Sequence, residues 1–301
     1  MCHFHNVTVP LSMTDSDIGL IRYAHMVASL GVTNEVRFVH VVTPTNSEAA
    51  RATRNDVLLQ MKALVAEHFG EPIEEVTVDC HVVEGNRIDQ LVDFSIHFKA
   101  DLILLGHRNA RSGRRSLAQR LAMITPCSVW SVPEDSPPRL NRILAPIDFS
   151  DHSADSLAMA TCIARLQGLD TCETIHAFFD PSAIRYDERV DEIRGEEQIA
   201  FEKFVAGVNT HGVTVQPTFA ECNQTADAVI RHGVKMRADL IVMSTRGRSQ
   251  AAAILLGSVT AQTIAEAPMP VLAVKHFGAH LNLLEALRAS RFWARPNAQT
   301  N

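Results

Sequence analysis

The chain has 301 residues, 46% of them hydrophobic, with 28 basic and 34 acidic side chains for a net charge of -6. Domains of roughly 100–200 residues are the rule, so this length predicts two, and the apolar content is that of a globular protein able to bury a proper core. Net negative charge counts against a general affinity for nucleic acid, and the sequence offers no run of about 18 apolar residues to cross a membrane.

The first residues, MCHFHNVTVPL, lack the basic flank, sustained apolar core and small-residue cleavage site of a signal peptide. A cytoplasmic location is therefore expected. Cys2, His3 and His5 are residue types that bind metals, but their spacing supports no site, and the segment reads as the frayed start of a first strand. No metal site is expected. The six cysteines (Cys2, Cys80, Cys127, Cys162, Cys172, Cys222) are scattered without a CxxC pair, which reads as buried free thiols in a reducing compartment.

Along the chain one unit is written twice. NVTVPLSMTDS (6–16) lies over RILAPIDFSDH (142–152), with Pro10 on Pro146, and EVRFVHVV (35–42) lies over TCETIHAF (171–178), with His40 on His176. Further on, KADLILLGHR (99–108) matches RADLIVMSTR (237–246), and TPCSVWSV (125–132) matches APMPVLAV (267–274). A period of about 136 to 142 residues makes each copy a whole domain rather than a solenoid unit. The domains are expected over 1–135 and 140–276, joined by the Pro-rich, acidic connector SVPEDSPPRLN, with 277–301 left as an amphipathic helix and tail.

In each copy short β-branched runs alternate with helical patterns, the signature of βαβ units and a parallel sheet. In the second copy strands are expected near 142–147, 172–178, 213–220, 239–243 and 270–275, with helices at about 151–167, 188–210, 224–237 and 257–266. ADLILL and ADLIVM are unbroken apolar runs, as strands covered on both faces require. The expected fold class is α/β: two tandem, Rossmann-like, doubly wound open sheets of five parallel strands. Such sheets bind ligands at the carboxyl ends of their strands.

That places the stretch VMSTRGRSQAAAILLGS (242–258) at the carboxyl end of the fourth strand. Gly247 permits close backbone approach and positive φ, so main-chain N–H groups can converge there on an anion. Gly257-Ser258 opens a helix, where unpaired amides and the dipole favour phosphate, although a glycine at that place also serves simply as a cap. Asp148, just past strand one, is placed either to meet a ribose or base edge or to cap the next helix, with Ser150 and Asp151 competing for that task.

With ILAPIDFSDHS, IHAF and ADLIVMSTRGRSQAAAILLGSVTAQTIAEAPMPVLAV, the chain resembles a tandem universal stress protein over about residues 4 to 275. The nucleotide-binding branch of that family carries Gly, two residues, Gly, nine residues, Gly, then Ser or Thr. Ser244, Gly247, Gly257 and Ser258 stand at those positions here, so three of the four agree. The resemblance implies a stress-response protein whose second domain binds ATP or a related adenine nucleotide, with magnesium. Pro146, Asp148 and the backbone near Ala177 would lie by the adenosine, and Met243 and Ser244 by the ribose and first phosphate. Gly247, Gly257, Ser258 and Val259 would hold the phosphates, with Arg246 and Arg248 adding charge. If the first position needs left-handed backbone, Ser244 would cost roughly 1–2 kcal/mol. The resemblance also implies packing of the two domains through their fifth strands as a pseudo-dimer, and leaves a further homodimer open.

The first copy departs from this pattern. Asn109 stands where the second glycine belongs, Arg115-Ser116 aligns with Gly257-Ser258, Ser12 replaces the strand-one Asp, and Asp101 to Pro126 spans 25 residues against 29 from Asp239 to Pro268. No family-type ATP site is expected there. Its loop holds Arg108, Arg111, Arg114, Arg115 and Arg120 within thirteen residues, either a solvated loop or a patch for an anion or a protein partner.

HLNLLEALRASRFW (280–293) reads as an amphipathic helix that docks on protein rather than on a membrane. His40 and His176 read as packed strand histidines, and Met236 and Met243 as core. The 242–258 stretch has no lysine, no GxxxxGK[ST] loop and no acid, so a regulatory nucleotide-binding module with at most slow hydrolysis is expected rather than an enzyme. The alternative is a scaffold that binds no nucleotide and works through the arginine loop and C-terminal helix.

Overall fold

A computed structural model of the chain describes residues 4–42, 48–107, 115–178, 187–247 and 256–275. The 280–293 helix, Cys2, His3, Arg108, Asn109, Arg111, Arg114 and Arg248 lie outside the described residues.

The first half runs β1 (Asn6–Leu11), α1 (Asp17–Ala28), β2 (Glu35–Val42), α2 (Glu48–His68), β3 (Thr77–Glu84), α3 (Arg87–His97), β4 (Leu102–His107), α4 (Leu117–Ile124) and β5 (Ser128–Pro133). The second repeats it: β6 (Ile143–Ile147), α5 (Asp151–Leu166), β7 (Thr171–Phe178), α6 (Asp187–Ala206), β8 (Thr214–Glu221), α7 (Thr225–Met236), β9 (Leu240–Ser244), α8 (Ser258–Glu266) and β10 (Val271–Val274). Every strand and helix expected for the second copy is present, with ends shifted by a few residues at most sites.

All ten strands form one sheet in the order β3-β2-β1-β4-β5-β10-β9-β6-β7-β8. Within each half the neighbours are parallel. The halves meet where β10 runs antiparallel to β5, setting Leu272 against Trp130 and Ala273 against Val129. The two domains thus join through their fifth strands.

The unbroken apolar strands divide between two cores by strict alternation. Leu102, Leu104, Leu240 and Val242 face the core under α1, α2, α5 and α6, whereas Ile103, Leu105, Ile241 and Met243 face the core under α3, α4, α7 and α8. Full burial of each such side chain contributes about 1.5–3 kcal/mol, so a one-residue slip in register would exchange the cores at heavy cost. Trp130, fully buried at the seam, packs with Phe4 and Tyr23 at ring-centroid distances of 6.2 and 5.8 Å. The connector is pinned by Asp239, whose carboxylate accepts from Arg139 Nε at 2.8 Å and from the Asn141 and Arg142 amides at 2.9 and 3.2 Å.

Among the described residues no helix is long and apolar enough to cross a membrane. Cys80, Cys127, Cys172 and Cys222 are free thiols. Burial pushes the Cys127 and Cys172 thiols up to about 12, which keeps them protonated at neutral pH. Cys162 is disulfide-bonded, a correction to the reading of every cysteine as a free thiol.

Candidate functional site

The crevice in the second half is built where β6 and β9 end side by side. His176 on β7 is buried, and its Nδ1 lies 2.9 Å from the Ile147 carbonyl at the end of β6. Its Nε2 lies 3.3 Å from Glu197 Oε2. The Phe149 ring stacks on the imidazole, with centroids 4.2 Å apart at 24°. Phe149 takes this position only by adopting left-handed backbone, φ 60°. Non-glycine residues rarely do so, and the stacking and the flanking bonds hold it there. Asp148 is therefore fixed between two anchored neighbours. The same device recurs in the first half, where His40 Nδ1 lies 2.9 Å from the Leu11 carbonyl and Met13 has φ 58°. Both histidines are the packed strand residues the sequence predicts.

Asp148 is not the helix cap. Ser150 caps α5, its hydroxyl accepting from the Ser153 amide at 3.2 Å. Asp148 Oδ1 accepts from the Ser150 amide and hydroxyl at 3.1 and 2.5 Å. Its other oxygen turns toward the bend after β9, where a Cβ added to Gly247 would lie 2.9 Å from Oδ2. A Cβ there would press on the carboxylate, which could yield only by straining its Ser150 bonds. Glycine therefore suits this close approach. Positive φ is not the reason, since neither Gly247 nor Gly257 is left-handed.

The bend itself is tied at its neck. The Thr245 amide donates to the Val274 carbonyl at 3.0 Å, the Gly257 amide to the Thr245 carbonyl at 2.8 Å, and the Thr260 hydroxyl to the Ser244 carbonyl at 2.8 Å. The Ser244 hydroxyl donates to the Arg246 carbonyl. Ser244 ends β9 in backbone that is not left-handed, so serine in place of glycine incurs none of the expected strain.

Gly257 is the N-cap of α8, and no side chain among the described residues caps that helix. Its own N–H is spent on Thr245, which leaves the first-turn amides of Ser258, Val259 and Thr260 as the donors that α8 presents. A Cβ on Gly257 would meet the Thr245 carbonyl at 3.5 Å, an ordinary contact. Here glycine is not sterically demanded.

The remaining predicted residues are spread along the crevice. Pro146 pairs with Ile175 inside the sheet, and Ala177 continues β7 one residue beyond the Ile147–His176 pair. The Met243 side chain is 5% exposed and belongs to the core, so only its backbone borders the crevice. Arg246 is half-buried in the bend. Beside it, Lys275 sends Nζ away to the Ala122 and Met123 carbonyls at 2.9 and 3.3 Å, and burial pushes its amine down to about 8. Sequence reasoning missed Phe149, Glu197, Thr260 and Lys275. Only the Met13 and Phe149 match within the repeat signalled any of them.

Two doubly wound five-stranded halves, fused edge to edge, define a tandem Rossmann-like α/β protein. The chain belongs to the universal stress protein family, whose model matches residues 3–133 and again 139–275. It is 30% identical over 144 residues to the universal stress protein in the QAH/OAS sulfhydrylase 3′ region of Thermus aquaticus, covering 44% of this chain and 97% of that one. Universal stress protein MJ0531 of Methanocaldococcus jannaschii is 32% identical over 139 residues, 44% of this chain and 81% of its own. In fold the chain is similar to the crystal structure of a universal stress protein from Archaeoglobus fulgidus, with TM-score 0.64 at 16% identity over 91% of this chain and 99% of that one.

Proposed function

We propose that the second domain binds ATP or a related adenine nucleotide, with magnesium, and acts as a regulatory module whose bound state biases domain packing or partner choice. The observation that carries this reading is the approach of Asp148 to Gly247, a cradle that a single Cβ would fill. A carboxylate on one lip suits a ribose or base edge. On the other lip, α8 starts without a side-chain cap and presents the Ser258 and Val259 amides, a terminus whose partial positive charge favours phosphate. Arg246 adds charge at that end. Pro146, Ala177 and the backbone of Met243 and Ser244 line the floor between them, and Gly257 sets the start of α8. This set of residues positions and neutralises a nucleotide; none of it is assigned to activating water, and turnover is expected well below about 1 per second.

Calorimetric titration of the full chain with ATP, with and without magnesium, tests the proposal, together with the absorbance and mass of anything released on denaturation. Binding that is saturable and weakened at least tenfold by Asp148→Ala supports it. No heat of binding up to millimolar ATP overturns it.

A further inference from the structure

Gln119 bonds to both α4 and α8. Its Oε1 accepts from the Ser116 amide at 2.7 Å, while the Ser116 hydroxyl accepts from the Gln119 amide at 3.2 Å, closing a capping box on α4. Its Nε2 crosses the domain seam and donates to the Ala261 carbonyl of α8 at 2.8 Å. Val129 pairs with Ile103, and Val271 with Ile241. The same count of residues back from each reaches Gln119 and Ala261, so the contact sits where the pseudo-twofold relation brings equivalent positions of α4 and α8 together. The link is nevertheless one-sided, because alanine returns nothing.

From this geometry we infer that Gln119 of the first domain is a positioning residue for the nucleotide crevice of the second. It grips the second turn of α8, directly behind the Ser258 and Val259 amides, and its own rotamer is locked by the box on α4. The degenerate domain therefore works as a brace for the helix start that the other domain exposes. This inference rests on the nucleotide reading for its consequence, though the brace itself can be tested without nucleotide.

Gln119→Glu separates the two bonds. Glutamate still accepts from the Ser116 amide, as capping boxes allow, but it cannot donate to Ala261 and sets a carboxylate against that carbonyl. Ser116→Ala does the reverse. In the nucleotide-free full chain, hydrogen exchange of the Ala261 to Thr263 amides should quicken about threefold to tenfold in Gln119→Glu, the loss of one hydrogen bond, while α4 stays protected. ATP affinity should fall by a similar factor, with a Tm lower by a few degrees at most. Ser116→Ala should loosen α4 and leave α8 and ATP affinity near their original values. Unchanged exchange in α8 for Gln119→Glu, or equal loosening of α8 in both variants, would overturn the inference. If exchange responds as described while the parent chain binds no ATP, the brace stands and the nucleotide reading falls.

Discussion

The two crevices start from one plan and close in opposite ways. In the first domain α4 satisfies its own N-terminus with the Ser116 and Gln119 box, and the turn after β1 is filled by Asp17, which is buried and accepts from the Ser12 amide at 2.9 Å and the Thr14 amide at 3.1 Å. In the second, α8 has no side-chain cap among the described residues, and the carboxylate after β6 faces the glycine bend. A helix start and a strand end have a fixed number of polar groups to satisfy. In the first domain the chain satisfies these groups with its own side chains, which is the simplest reason for that half to make no demand for a ligand.

The sharpest way to break this comparison is Gly247→Val. Its Cβ would displace Asp148 from a position held by two hydrogen bonds, so ATP affinity should fall about ten- to a hundredfold, the worth of one charged hydrogen bond of about 1.5–3 kcal/mol. Calorimetry on the variant measures this directly. The next largest effect is expected from Ser116→Ala, which opens the box on α4 and should cost about 1 kcal/mol of stability, read as a Tm lower by a few degrees with ATP binding intact.

Lys275 supplies a pH test of the seam. Its folded-state amine, pushed down to about 8 by burial from the ordinary lysine value of 10.5, binds fewer protons than the unfolded chain between those values. Stability contributed by this group therefore rises with pH across that window, and the gain is lost as pH falls back through about 8. Denaturant melts of Lys275→Met between pH 7.5 and 10.5 should show a flatter pH slope than those of the parent chain. The smallest effect is the one that rebuilds the first domain's solution in the second. Gly257→Ser places a hydroxyl at the α8 cap, at a position with φ -57° and room for a Cβ. It should stabilise the chain by a few tenths of a kcal/mol while weakening ATP by about threefold, seen as a small rise in Tm with a fall in affinity.

The repeat, the parallel sheets and the division into two domains were legible in the sequence because strand periodicity and self-similarity record burial directly. The site was legible only where a residue type has one use. Gly247 was visible as a place of close approach, yet its reason, the Asp148 carboxylate, lies 99 residues away along the chain, beyond the reach of local pattern. Positive φ, which glycine at 247 would have permitted, is not used there, and Ser244 does not need it; the left-handed residues are Phe149 and Met13, which no propensity would nominate. SLAQ at 116–119 is a readable capping box, but aligning Arg115-Ser116 with Gly257-Ser258 hid it; the α4 cap is Ser116 and the α8 cap is Gly257, one residue out of step with that alignment.

The antiparallel union of β5 with β10 also bears on how such a molecule can change through descent. Two separate, identical subunits must carry every substitution twice, so a residue at their symmetry axis meets its own copy. Covalent fusion lifts that constraint, and glutamine can sit opposite alanine. One half is then at liberty to surrender its ancestral task and become infrastructure for the other.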